Sequence, residues 1–492
     1  MEYLLALDQG STHSKAALMT AKGRMAFVSS VPIKTVRRRP SWVEHHPGDL
    51  LKTQIEAAES VIRKAGSKRA AITAAGLAAQ RSTVLVWDRN TGKPLTPAIS
   101  WQDLRAAGEA ERFHGQARNI LDRTGLVLSA HYAALKLRWI LKNVPGARAR
   151  ADAGKLLCGT VTTFLLWHFS RGELHRIDPT HAARTLLMNI RTLKWDPDLL
   201  GLFQIPPRLL PEIAHSVSDF GTIRLCGESI PIKASIGDNQ AALIGMGAVR
   251  KGDAVLNFGT GGFLLVHTGE KRIPVPGLLS SVAWTARGET EYVVEGTVNA
   301  VGTVFDWLGR VGLIRSRSEI DRLARGAAGE VFMIPAILGL GSPHWDQPAR
   351  MAILGISPAT GRADLVRSAV EGIACLVREI QDSIRKDKRI KIRRLTGGGG
   401  GMNIRSLVQA QADLLGVPIF VPRSTEATLA GAATLAGIGC GWWRSPSQAP
   451  WKRAGRMVKP SMDRAVREER YRNWKKAFNA VRAAGGGPDR ER

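Results

Sequence analysis

The chain has 492 residues, with 70 Lys and Arg against 42 Asp and Glu, a formal net charge of +28 and four cysteines. Its 44% hydrophobic and 23% charged residues exclude a disordered, fibrous or disulfide-stapled protein, and its length predicts two to four domains at about 100 to 200 residues each. Cys158, Cys226, Cys375 and Cys440 form no CxxC pair and stand near no His at metal-ligand spacing, which predicts free thiols in a reducing compartment. The opening MEYLLALDQG is too short an apolar run for a signal peptide. The most apolar later stretch, Leu156 to Phe169, falls short of the ~20 residues a membrane helix needs, so a cytoplasmic protein with no membrane partner is expected.

Three short strand patterns come first, Tyr3 to Leu7, Lys15 to Met19 and Met25 to Val31, and predict a β-meander. Leu51, Ile55, Ala58 and Ile62 then recur at helical spacing behind Pro47. An apolar stretch from Ala70 to Ala79 and a strand from Thr83 to Trp87 follow, the latter entering a turn at Asp88 to Gly92. Alternation of strands with helices predicts an α/β fold. The plan repeats in the second half. Asp253 to Asn257 runs into Phe258-Gly259-Thr260-Gly261-Gly262 and a further strand from Phe263 to His267, a weak echo of Gly10-Ser11-Thr12 that suggests two similar lobes meeting near residue 240. A helix over Ala363 to Ile384 and a strand near Ile390 to Leu395 lead into five consecutive glycines, Gly397 to Gly401. A last basic helix, Asp463 to Val481, ends in GGGPDRER, where fraying is expected.

Both Gly/Ser/Thr turns have a physical reason to bind phosphate. Glycine brings backbone amides close to the ligand or adopts positive φ, and hydroxyls add donors. The plain alternative is a simple hairpin. Asp8, ending the first strand beside such a turn, is placed to hold Mg²⁺ through water. No GxxxxGK[ST] sequence is present, so a P-loop is excluded. Asp238, in Ile236-Gly237-Asp238-Asn239-Gln240, reads either as a helix N-cap or as a general base in a cleft between lobes, and spacing leaves both open. The positive charge concentrates at Arg37 to Arg39, Arg385 to Arg394 and Lys452 to Arg492, with no nucleic-acid-binding signature beside it, so a solvated basic surface is expected and a nucleic-acid partner is not.

Asp8-Gln9-Gly10-Ser11-Thr12, Trp42-Val43-Glu44-His45, Gln80-Arg81, Gly92-Lys93-Pro94, Trp101-Gln102-Asp103, Gly237-Asp238-Asn239-Gln240 and Gly259-Thr260-Gly261 resemble the successive motifs of the FGGY carbohydrate kinases. The likeness continues through Glu295-Gly296, Leu338 to Pro343, Trp345-Asp346, Ala349-Arg350 and Gln411 to Gly416, and spans residues 3 to 443 in order. It implies a two-lobed actin-like (ribonuclease H-like) α/β fold with ATP and substrate in the cleft. The implied domains are residues 1–240, with the substrate and phosphate or metal side, and 241–445, with the nucleotide side, followed by a basic helical tail over 446–492.

By the same resemblance, Asp238 takes the proton from a substrate hydroxyl as it attacks the γ-phosphate of ATP, and Asp8 with Asp238 positions Mg²⁺. Gly10, Ser11, Thr12, Gly259 and Thr260 face the phosphates, with Lys15 standing where these kinases have Arg. Gly302 lies near the nucleotide or else packs helices closely, and Gly400 and Gly401 represent the glycine run that meets adenosine. Arg81, Trp101, Asp238 and Phe263 match substrate contacts. Ser82 and His131 depart from the pattern, standing where Glu and Tyr are expected. Loss of a charged hydrogen bond at Ser82 costs roughly 1.5 to 3 kcal/mol for a small triol and leaves space for a longer polyol or a sugar. His131 reads either as a substrate contact or as a histidine packed on the helix that carries Leu135 and Trp139. The expectation is an ATP-dependent kinase of a small polyol or sugar, with a homo-oligomer left open. The competing reading is a non-catalytic nucleotide- or nucleic-acid-binding protein of the same fold.

Overall fold

The computed structural model describes residues 2–66, 71–327, 329–450 and 454–484. The chain opens on the expected meander, β1 (Glu2–Gln9), β2 (His13–Thr20) and β3 (Met25–Pro32), in which Leu4 to Leu7 are fully buried because β1 lies between two packed layers. α1 (Pro47–Ala65) starts with Pro47 in its first turn and turns Leu50, Ala57, Ala58 and Val61 inward. It leads to β4 (Ala71–Ala79), which runs parallel to β1, and β5 (Thr222–Leu225) and β6 (Glu228–Gly237) complete a sheet in the order β5-β6-β4-β1-β2-β3.

The second lobe repeats this topology. Its sheet contains β7 (Asp253–Phe258), β8 (Gly262–Gly269), β9 (Leu279–Ala286), β10 (Glu289–Val298), β11 (Arg394–Gly398), β12 (Ile419–Pro422) and β13 (Gly455–Val458), in the order β9-β10-β8-β7-β11-β12-β13. β7 pairs antiparallel with β8 and parallel with β11, as β1 does with β2 and β4. The short echo between the two turns is therefore a structural repeat. One expectation moves: the strand predicted near Ile390 to Leu395 is β11, which begins at Arg394 and takes in Gly397 and Gly398, because parallel pairing opposite Leu256 and Asn257 draws those glycines into the sheet.

The remaining helices used below are α2 (Ala133–Asn143), α3 (Asp238–Gly245), α4 (Gly302–Arg310), α5 (Arg362–Arg385), α6 (Ala427–Gly439) and α7 (Arg464–Ala484). α3 and α6 lie between the two sheets. Leu4, Ala78 and Ile236 of the first sheet, Leu243, Leu429 and Leu435 of the helices, and Val255, Leu265 and Val293 of the second sheet form one continuous core. The two helices cross on glycines. A Cβ on Gly431 would lie 1.8 Å from the Ala241 carbonyl oxygen, and one on Gly245 would lie 1.9 Å from that of Ala427. In a third, five-stranded sheet Leu156–Thr160 is a buried strand paired with Val84–Asp88, Val161–Phe169 is a buried helix, and among the described residues no helix is long and apolar enough to cross a membrane. All four cysteines are free thiols.

Residues expected as a separate basic tail join the second lobe. β13 extends its sheet, and α7 lays Trp474 and Phe478 into its core, an aromatic pair that composition hides among Arg and Lys. The predicted fraying of the last residues lies outside the described residues. α7 is also pinned electrostatically. Glu379 on α5, 6% exposed, accepts hydrogen bonds from Tyr471, Lys475 and His344. These partners outweigh the penalty of burial and hold its carboxyl down from 4.5 to about 2. A depressed carboxyl stabilises the fold above its unfolded value and loses that contribution as pH falls through its folded value. Glu379→Gln is therefore expected to cost about 3 kcal/mol at neutral pH. In urea unfolding, the deficit should shrink as pH falls from 4.5 towards 2; a deficit constant with pH would assign the effect to packing.

Candidate functional site

The first turn joins β1 to β2 at Gly10, Ser11 and Thr12. Gly10 has no positive φ; its use is close approach, since a Cβ there would lie 3.0 Å from the His13 carbonyl oxygen. Asp8 and Lys15 stand opposite one another in the β1–β2 ladder. The Lys15 ammonium reaches both carboxylate oxygens of Glu426, the residue before α6, at 2.9 and 3.0 Å. One carboxylate oxygen of Asp8 is buried without a hydrogen-bond partner. Burial, reinforced by Asp238 and Glu426 and opposed by Lys15, pushes the Asp8 carboxyl up from 3.8 to about 8.

An orphaned, desolvated carboxylate oxygen suits a divalent cation, whose charge would restore the ionised form. Among the described residues, no cluster of three or more His, Cys, Asp or Glu could hold a metal by itself. That donor set fits Mg²⁺, which takes one or two carboxylates and fills its shell with water and phosphate oxygens. Without metal, the raised Asp8 carboxyl destabilises the fold increasingly as pH climbs from 3.8 to about 8, because only the unfolded chain releases the proton over that window. The stability of Asp8→Asn should therefore rise relative to the parent between those pH values in urea unfolding. A pH-independent difference would contradict this.

The second turn, at Gly259, Thr260 and Gly261, repeats the construction. Gly261 sits where a Cβ would be 2.9 Å from the Val298 carbonyl oxygen, while Gly259 is exposed with open space beside it. Gly302, the first residue of α4, packs on this turn: its amide donates to the Gly259 carbonyl at 3.0 Å, and a Cβ would lie 2.7 Å from that oxygen. Close packing is thus what Gly302 visibly does, and it fixes the turn. In the glycine run, only Gly399 has positive φ, +81°. Gly400 is exposed with nothing within 4 Å of a Cβ position, whereas Gly401 packs against Phe258, so the open backbone is at Gly400.

Between the turns lies a pocket wall. Asp238 is not the N-cap of α3: Gly237 holds that position and Asp238 is the first helical residue, accepting from the Asn239 amide at 2.8 Å. One of its oxygens pairs with Arg81 Nε at 3.3 Å. Burial raises the Asp238 carboxyl above the ordinary range, with Arg81 opposing. Arg81 also reaches Glu295 on β10 at 3.8 Å, and Arg184 pairs with the same carboxylate. Trp101 donates its indole N–H to Ser11 Oγ at 2.9 Å, and Ser11 in turn bonds Gln80, which holds the Gly10 carbonyl. Pocket wall and first turn are therefore one hydrogen-bonded unit. Phe263 on β8 packs partly buried against the core between the lobes.

The two departures from the family pattern also meet here. Ser82 is fully buried at φ +64°, its hydroxyl donating to the Arg184 carbonyl at 3.3 Å. His131 precedes α2 and does not ride on it. Its ring lies 5.5 Å from that of Trp101, and Lys136 donates to both its carbonyl and that of Ser82, at 2.7 and 3.2 Å. Burial, with Lys136, Arg184 and Arg81 around it, holds the imidazole well below its usual value and neutral.

Arg184, Tyr132, Lys136 and Glu426 carry no local sequence signal, since each meets its partners only through the tertiary fold. Glu295 was visible only as part of a motif. Three motif residues, Trp42, Glu44 and Asp103, are structural: Arg105 pairs with Glu44 and Asp103 at 2.7 Å each and stacks on Trp42, clamping the strand of the first motif to the loop after Trp101.

Comparison with known proteins matches residues 3–245 to the N-terminal domain of the FGGY family of carbohydrate kinases and residues 254–440 to its C-terminal domain. The glycerol kinase of Thermus brockianus is 44% identical over 490 residues, 98% of this chain and 99% of the relative. That of Alkalilimnicola ehrlichii is 42% identical over 496 residues, 99% of each. Among solved structures, Plasmodium falciparum glycerol kinase with ADP superposes with a TM-score of 0.91 at 30% identity, covering 98% of both chains.

Proposed function

The chain belongs to the FGGY family of carbohydrate kinases, and we propose that it transfers the γ-phosphoryl group of ATP, in the presence of Mg²⁺, to a terminal hydroxyl of a small polyol, with glycerol the leading acceptor. The observation that carries the reading is the pair of desolvated carboxylates, Asp8 and Asp238. Asp238, its carboxyl raised by burial and oriented by Arg81, is placed to accept a proton, and Asp8 presents an unpartnered oxygen. The match of this chain, end to end, to relatives named glycerol kinases supports the choice of acceptor.

In this account the acceptor lies against Trp101, Phe263 and Arg81 with its hydroxyl at Asp238. As that oxygen bonds to the γ-phosphorus, the bond to ADP breaks and the proton passes to Asp238. Asp8 would hold Mg²⁺ through its unpartnered oxygen, and the ion would supply neutralisation of phosphate charge, which phosphoryl transfer needs more than covalent help. Gly10 to Thr12 and Gly259 to Gly261 offer backbone donors to phosphate, and Gly400 leaves bare backbone for the nucleotide. Lys15 adds one mobile charge once released from Glu426. Lys15→Met is therefore expected to raise the KM for ATP at least 10-fold, the equivalent of one charged hydrogen bond. An unchanged KM would remove Lys15 from the phosphate site.

The test of the function is ADP release by the purified protein with Mg-ATP across glycerol, longer polyols, ketoses and aldoses. Glycerol should stimulate release in the parent and not in Asp238→Ala. ATP binding with no stimulation by any acceptor would contradict the kinase reading.

A further inference from the structure

One helical turn, Pro179–Ala182, packs against β6, the strand that leads into Asp238. Two of its side chains hold the peptide group between Ile236 and Gly237. The Gly237 amide donates to the Thr180 hydroxyl oxygen at 2.7 Å, and His181 Nε2 donates to the Ile236 carbonyl at 3.2 Å. Gly237 is the N-cap of α3 and Asp238 its first residue, so this peptide plane sets where the helix starts and where the Asp238 carboxylate points. There is little room for error. A Cβ on Gly237 would lie 2.7 Å from Arg81 Cδ, so a rotated backbone would also disturb the Arg81–Asp238 pair. Thr180 is itself locked. Its hydroxyl donates to Asp178 Oδ2 at 2.7 Å, and the same oxygen accepts from the Thr180 amide at 2.9 Å and the Ser216 hydroxyl at 3.0 Å. With its single proton committed to Asp178, the Thr180 hydroxyl presents only lone pairs to Gly237, which fixes its direction. Ser216 carries the chain into the second lobe: its amide donates to the Thr285 hydroxyl on β9 at 2.7 Å, and the Thr285 amide donates back to the Ser216 hydroxyl at 3.2 Å. Asp178, Thr180, Ser216 and Thr285 are all fully buried, where such bonds are strengthened by the low dielectric and costly to break.

We propose that Thr180, locked by Asp178, is a positioning residue for the transfer: its hydroxyl holds the Gly237 amide and thereby sets the Asp238 carboxylate against the acceptor hydroxyl. This rests on the kinase reading of the cleft. A general base works only within hydrogen-bond reach of the proton it takes, and a misplacement of about 1 Å costs on the order of 100-fold in rate. Thr180 acts at one remove, since the partners of its hydroxyl are the Asp178 carboxylate and the Gly237 amide. Its loss therefore falls on the chemical step. The nucleotide side, built on Lys15 and the two glycine turns, has no bond to Thr180 and is left as it is.

The experiment is ADP release with Mg-ATP and the acceptor that gives the highest rate in the panel above, with kcat and the KM for ATP measured for the parent, Thr180→Val and Thr180→Ser, and for Thr180→Val combined with Asp238→Asn. Thr180→Val keeps the shape and removes the hydroxyl; kcat should fall at least about 10-fold while the KM for ATP stays within about 2-fold of the parent. Thr180→Ser restores the hydroxyl and should recover kcat to within about 3-fold. In the Asp238→Asn background the same Val substitution should cost no further kcat, because residues that act through one another are non-additive. Thr180→Ala, read against the same criteria, replaces the Val variant if that one does not fold. Parental kcat in Thr180→Val, an equal loss in Thr180→Ser, or a full further loss on top of Asp238→Asn would each overturn the positioning role while the kinase reading stands. A folded parent that releases no ADP with any acceptor overturns the kinase reading and this role with it.

Discussion

Asp238→Asn should lose about 100- to 10,000-fold in kcat, the range a positioned general base contributes, while still binding ATP. The substitution keeps the side-chain shape, and the Asn239 amide can still donate to the remaining carbonyl oxygen. What disappears is the acceptor for the hydroxyl proton. The pH profile carries a second signature. Burial has raised the Asp238 carboxyl above the ordinary carboxylate range, so protonation disarms the parent as pH falls through that raised value. The parent should show an acid limb in kcat/KM, and the residual rate of Asp238→Asn should not. A parent whose acid limb survives unchanged in the Asn variant would assign the proton acceptor elsewhere.

Gly431→Val should destabilise the fold by at least about 3 kcal/mol, beyond the usual cost of overpacking. The obstacle is backbone: a Cβ on Gly431 would lie 1.8 Å from the Ala241 carbonyl oxygen, and one on Gly245 1.9 Å from the Ala427 carbonyl oxygen. Neither oxygen can rotate away, so α3 and α6 must separate and open the core between the two sheets. Because Asp238 begins α3 and Glu426 precedes α6, a shift of this crossing also moves both ends of the site. The predicted result is a large drop in Tm together with loss of activity in whatever folds. Gly108→Ala, on a short surface helix where a Cβ meets nothing within 4 Å, is the control and should be neutral or slightly stabilising. Equal stability of the two variants would contradict a close-packed crossing.

Much of this was legible in the chain because it is written locally. β1, β2 and β3, the two Gly/Ser/Thr turns and the helix with Leu51, Ile55 and Ile62 follow from periodicity and turn chemistry over a few residues. The repeat of topology between the lobes could only be suspected from Gly259-Thr260-Gly261. It resides in strand pairing, and very different side chains satisfy the same pairing. Of the two uses of glycine expected at the turns, close approach and positive φ, Gly10, Gly259 and Gly261 do not adopt positive φ, and close backbone approach accounts for Gly10 and Gly261. Trp474 and Phe478 escaped notice because a buried stripe of two aromatics is faint within a strongly basic helix. The charge network of the cleft was the least visible part. Arg184 and Glu295 are separated by 111 residues and Lys15 and Glu426 by 411, and no local pattern links them. Ser82 was noticed only through comparison with a family pattern, and its bond to the Arg184 carbonyl, 102 residues away, has no local signal.

The central claim, that this cleft moves a phosphoryl group from ATP to a carbon-bound hydroxyl, is tested most directly by identifying the product. Purified protein is incubated with Mg-ATP and glycerol, and the mixture is resolved by phosphorus NMR. The account predicts that ADP and a phosphate monoester appear one for one, and that neither forms with Asp238→Asn over the same period. Inorganic phosphate in place of the ester, or an unchanged ATP spectrum from folded protein, would contradict it.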